Sequence, residues 1–211
     1  STGTGTYAPI TGTPVTSILS DDALSEEIPI GFTFVYGLEI YTSVKISSNG
    51  WVGLGGSAPH SNLSNELSAT TTYSTLAPLW DDTSLWEGNC QYLMSGTAPN
   101  RIFTIQYENL HWYYGSNNQH NIQVLLYETG KVEFRYGPST GTPENASASI
   151  GINMIPGGIN NFYSVTPGTP ASASYVAENS TINMYPGNGM IYSFETLAPV
   201  PNDLAAFSLT G

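Results

Sequence analysis

The residues with chemistry to offer are few and mostly acidic. Asp81 and Asp82 follow Trp80 at the end of an apolar segment, with Glu87 and Asn89 close behind. Adjacent carboxylates and an amide oxygen are hard-oxygen donors of the kind Ca²⁺ takes, although the spacing matches no EF-hand or aspartate-repeat loop. The competing expectation is that Asp82 caps backbone amides in a turn while Asp81 is solvated. Asp21-Asp22 with Glu26-Glu27 makes a second acidic cluster, for which a solvated loop is expected. His111-Trp112-Tyr113-Tyr114 is an aromatic run before the polar loop Ser116–Gln119. Exposed aromatic faces stack on sugar rings, so Trp112 and Tyr113, helped by Trp86, are the candidate glycan platform. Strand alternation would instead turn Trp112 and Tyr114 into the core.

Covalent catalysis has little to work with. His60, His111 and His120 are scattered, and the sequence holds no G-x-S-x-G elbow, phosphate-binding glycine loop or H-E-x-x-H pair. Cys90 is the single cysteine, so no intramolecular disulfide forms. No basic residue near it in sequence would lower its pKa, which favours a buried apolar filler. The expectation is a protein that is not an enzyme, with calcium as the one cofactor its residues suggest.

Composition narrows the partners. The 211 residues carry 4 Lys+Arg against 16 Asp+Glu, a formal charge of −12. Such a surface repels phosphate backbones and anionic lipid, which argues against nucleic acid and membrane partners. No run of 18 apolar residues is present to insert as a helix. Hydrophobic residues make up 40% of the chain, enough to build a core. Scarce lysine, abundant Ser, Thr, Asn and Gly, and a start at Ser1 without Met read as an exported bacterial protein, secreted or on the cell surface.

The elements that must position these residues are short strands of period two. Ile28 to Val35 places Ile28, Ile30, Phe32 and Phe34 on one face. Ile40 to Ile46 groups Ile40, Thr42, Val44 and Ile46, and Ser48-Asn49-Gly50 then turns the chain into Trp51–Leu54 as a hairpin. Arg101 to Tyr107 alternates, Asn121 to Tyr127 is apolar enough to be covered on both faces, and Lys131 to Tyr136 puts Val132, Phe134 and Tyr136 inward. Further strands are expected at 90–94, 147–153, 161–165 and 190–194. Only Asp22 to Glu27 could manage a helical turn. Regular short strands with Gly, Pro and Asn punctuation predict an all-β, jelly-roll-like antiparallel sandwich with almost no helix, one domain over residues 1–196.

Leu197 to Asn202 reads as a Pro-rich extended linker. Residues 203–211 then form a strand with no partner left in sequence, its apolar positions being Leu204, Ala206, Phe207 and Leu209. It is expected either to start a further domain or to be donated to the sheet edge of a neighbouring subunit.

Three segments carry a resemblance. They are Ile30-Gly-Phe-Thr-Phe, the stretch Tyr41-Thr-Ser-Val-Lys-Ile-Ser-Ser-Asn-Gly-Trp-Val-Gly-Leu-Gly, and Leu76-Ala-Pro-Leu-Trp-Asp-Asp. Together they resemble the nidogen-like extracellular β-domain, and Gly96–Tyr107 with Gly130–Tyr136 look like the version in surface and secreted proteins of Bacteroidota and related bacteria. The resemblance spans about residues 28–165 plus the strand containing Tyr192. It implies a non-catalytic module for surface display, adhesion or fibre building, joined to neighbouring domains or to copies of itself. The alternative is a carbohydrate-binding module built on the exposed aromatic platform.

Overall fold

The computed structural model describes residues 6–113, 116–196 and 207–210. In chain order the strands are β1 (Thr13–Pro14), β2 (Ile28–Tyr36), β3 (Glu39–Ser47), β4 (Trp51–Leu54), β5 (Thr75–Trp80), β6 (Thr83–Ser84), β7 (Asn89–Ser95) and β8 (Ile102–Trp112). They continue with β9 (Gln119–Tyr127), β10 (Val132–Thr140), β11 (Ser149–Asn153), β12 (Phe162–Thr166), β13 (Ser172–Ser174), β14 (Ile191–Thr196) and β15 (Phe207–Thr210). The helical turn expected at Asp22 is absent, and a three-residue 3-10 turn stands earlier, at Thr16–Ile18.

All pairings are antiparallel and form two sheets. One runs β1-β7-β8-β9-β10-β14-β15 with β6 beside β8, and the other runs β13-β12-β11-β5-β4-β3-β2. Consecutive strands stay within a layer, and the chain changes layer four times. Alternation does the work predicted for it: Ile28, Ile30, Phe32, Phe34 and Tyr36 of β2 are buried with outward residues between them. Facing them are Phe103, Ile105 and Tyr107 of β8, Ile122, Val124 and Leu126 of β9, and Val132, Phe134 and Tyr136 of β10. Each such side chain withdrawn from water contributes about 1.5–3 kcal/mol, so the inner faces hold the layers together. Ile40 departs from its expected place. It pairs with Val35 at the tip of the β2–β3 hairpin, and both side chains are exposed.

A second, smaller core covers the outer face of the β4–β5 pair. Trp51, Ala58, Leu67, Tyr73, Ala77, Trp80 and Phe162 pack there under the long connection between β4 and β5. The Asn62 carbonyl accepts both indole N–H groups, from Trp51 at 2.8 Å and Trp80 at 2.7 Å. Lys45 ties the same connection down by donating to the Ala58 carbonyl. Both faces of β5 are therefore dry, and Pro78 sits in its middle because the ladder to β11 loses register there.

The predicted Ser48-Asn49-Gly50 turn is wholly buried. The Gly50 carbonyl accepts from Leu79 N, and the Ser48 carbonyl accepts from the Thr83 hydroxyl. Gly50 has φ of +72°, and a Cβ on it would collide with the Leu79 carbonyl, so the position takes no other residue without moving β5.

The first sheet has its own cover. Gln91, Gln106 and Gln123 stand opposite one another on β7, β8 and β9. Their amides hold residues 8–12 as an extended strap: Gly12 N donates to Gln91, Ile10 N to Gln106, and Gln123 to the Ala8 carbonyl. This strap explains why β9 reads as apolar on both faces.

Candidate functional site

The end of β5 decides the fate of the first acidic pair. Asp81 is only 6% exposed. Its Oδ2 accepts from the Trp112 indole N–H at 2.8 Å and from Ser147 N at 2.6 Å, and its Oδ1 accepts from Asp82 N at 2.9 Å. Asp81, and not Asp82, thus caps the local backbone. The expectation of Asp81 as a calcium ligand is corrected, because its oxygens already serve four protein donors, counting the Ser147 hydroxyl.

Asp82 points elsewhere. Its carboxylate meets those of Asp21 and Asp22, with one oxygen from each lying within 4.8 Å of the others. The two acidic clusters read separately in the sequence therefore merge in part, brought together by the bridge between Asp21 and Ser84 and by Ala23 N donating to Ser48. Glu27 leaves the group and accepts from the Ser43 hydroxyl. Burial, then the charges of Asp21, Asp22 and Asp81, push the Asp82 carboxyl above its ordinary pKa; burial and Asp22 do the same to Asp21. None of the ion pairs among the described residues reaches these three groups. Relief comes from Asn49, which donates to Asp22 at 2.8 Å, and from the Asp22 backbone N–H, which hydrogen-bonds the Asp21 carboxylate. The trio is a set of hard-oxygen donors held in mutual repulsion. No sequence signal announces it, since 60 positions separate Asp22 from Asp82.

The aromatic platform is taken apart by burial. Trp112 is 1% exposed, with its N–H on Asp81 and its backbone clamped by Asn118, so it belongs to the core and has no face for a sugar. Tyr113 is 39% exposed, with φ of +81°, and Trp86 is 45% exposed after β6. Tyr114 lies outside the described residues. His111 is buried with Nδ1 on the Ser116 carbonyl. Burial raises the Cys90 thiol pKa, leaving the sulfur without a thiolate or an approach path.

The last candidate is the terminal strand. Leu204 and Ala206 lie outside the described residues, whereas Phe207 and Leu209 belong to β15. That strand pairs with β14 through Ser193–Thr210, Phe194–Leu209, Glu195–Ser208 and Thr196–Phe207. In the isolated chain, then, the strand that lacks a partner in sequence order occupies an edge of its own domain.

A family model described as NIDO related matches residues 1–196, nearly the whole described sandwich. The chain belongs to the nidogen-related family. The match bears out the resemblance carried by the Ser-Asn-Gly-Trp and Ala-Pro-Leu-Trp-Asp-Asp segments. In the fold these segments touch: Leu79 N donates to the Gly50 carbonyl, Asp81 N to the Asn49 carbonyl, and Trp51 packs on Trp80 at 5.9 Å. Membership in this nidogen-related family points to an extracellular module. No curated protein matches the chain, and no solved structure does. No helix among the described residues is long and apolar enough to cross a membrane.

Proposed function

We propose that this nidogen-related chain is a non-catalytic structural or adhesive module of the cell surface that joins copies of itself by exchanging β15. The observation that carries this reading is the pairing of β15 with β14. The strand is the last in its sheet, and its four register pairs are backbone pairings that a second copy can supply equally well. Exchange of an identical element costs little, because the same ladder that opens within one chain closes again between two. The segment ahead of β15 holds Pro199 and Pro201, a composition that favours extended chain. The glycan-platform alternative loses support with Trp112 in the core.

Light scattering coupled to gel filtration, with electron microscopy of the concentrated protein, tests the proposal. The full chain is expected to associate as concentration rises, and a chain ending at residue 202 is expected to stay monomeric. Equal behaviour of the two forms would reject it.

A further inference from the structure

The first sheet loses register twice at one level. The β8–β9 ladder slips between Tyr107 and Leu110, and the β9–β10 ladder slips between Tyr136 and Ser139. Asn109, inside the first slip, has φ of +54°. Asn121 of β9 holds both irregularities in place: its Oδ1 accepts from Asn109 N at 3.2 Å, and its Nδ2 donates to the Pro138 carbonyl at 2.7 Å. Bulges side by side on neighbouring strands re-aim side chains that a regular ladder would leave in rows.

A cavity of about 550 Å³ opens at this level, between the bulged strands, the start of the N-terminal strap and the turn ahead of β14. That volume lies within the range of sites that hold small organic ligands, roughly 300–1,000 Å³. Its walls include Glu108, Asn109, Asn188 and Tyr7, with Pro9 and Pro138 as apolar surface. Among the described residues the side-chain amides of Asn109 and Asn188 and the Tyr7 hydroxyl have no hydrogen-bond partner. Glu108 receives Asn89 on Oε2 at 3.3 Å, which leaves Oε1 as an acceptor. Burial and the nearby Glu108 charge raise the Tyr7 pKa, so its hydroxyl keeps its proton and remains a donor.

We propose that this cavity binds a neutral saccharide unit. Amides and a carboxylate from β8 and from the turn ahead of β14 match ligand hydroxyls, which donate and accept at once. An ammonium ligand only donates, and it would leave the Asn109 and Asn188 N–H groups unmatched. No Lys or Arg lines the walls, and the chain's net charge of −12 disfavours anionic ligands. The Tyr7 ring and the two prolines give the C–H face of a sugar an apolar surface.

Saturation-transfer NMR on the full chain tests this, with glucose, galactose, mannose and N-acetylglucosamine at millimolar concentration and glucuronate as the charged comparison. At least one neutral sugar is expected to receive saturation, and glucuronate less than glucose. Tyr7→Phe and Asn188→Ala each delete one polar group at the cavity wall and are expected to leave the melting temperature unchanged. Each should weaken binding about fivefold, the equivalent of one hydrogen bond at about 1 kcal/mol. Silence from all four neutral sugars, full binding in both variants, or glucuronate bound as well as glucose would overturn the proposal.

Discussion

Replacing Asp81 by Ala should destabilise the sandwich more than the same change at any other aspartate. The side chain receives the buried Trp112 Nε1–H at 2.8 Å and the half-buried Ser147 N–H at 2.6 Å. Each donor left without an acceptor costs about 1–3 kcal/mol, so the pair gives about 2–6 kcal/mol. For a chain of this length about 1 kcal/mol moves the melting temperature by roughly 2–4 °C, so a fall on the order of 10 °C is expected. Urea denaturation of the wild type, Asp81→Ala, Trp112→Phe and the double variant measures the coupling directly. With Trp112→Phe already in place one orphaned donor is gone, so Asp81→Ala should cost about 1–3 kcal/mol less than it does alone. A cost below about 0.5 kcal/mol for Asp81→Ala, or no coupling to Trp112, would refute the reasoning.

The opposite sign is expected one residue along. Asp82 has its carboxyl pKa raised by burial and by Asp21, Asp22 and Asp81, so it contributes stability when protonated and loses it as pH rises through the folded-state value. Asp82→Asn should therefore raise the melting temperature near about pH 7 and leave it unchanged near about pH 3, a pattern that thermal scans at both values will check. His120 stacks on Tyr185 at 4.6 Å with both ring nitrogens unpartnered, and burial followed by the charge of His111 lowers its pKa from 6.5 to about 4. The unfolded chain takes up that proton first, so stability is complete above about pH 6.5 and drains as pH falls toward about 4, by about 3 kcal/mol in total. His120→Phe should flatten the urea midpoint across that window.

The strands were legible where one face is wet. In β2 the alternation of apolar and polar residues gave the inward face as well as the location, and in β10 it placed Val132, Phe134 and Tyr136 inward although Glu133 between them is buried too. β5 escaped because the second core covers its outer face and erases the alternation, and because Pro78 argues against a central strand until the slip beside it is known. The same reasoning explains the sites. A linear reading left Asp81 solvated and offered Trp112 either to a sugar or, by alternation, to the core; the two satisfy each other across 31 positions. The carboxylate trio depends on the Asp21–Ser84 bridge, and the polar cavity on bulges pinned by Asn121; both are long-range pairings that leave no local pattern.

The central claim, that β15 is exchanged between copies, is open to one direct measurement. Glu195 and Ser208 are register partners across β14 and β15, at the separation that suits a disulfide. The native chain offers a clean background, since its lone Cys90 is buried. One chain carrying only Glu195→Cys and another carrying only Ser208→Cys are mixed at high concentration, oxidised and run on a non-reducing gel. Exchange predicts a covalent heterodimer that forms in the mixture and in neither chain alone. A mixture that stays monomeric, while the double variant closes its disulfide within one chain, would contradict the account.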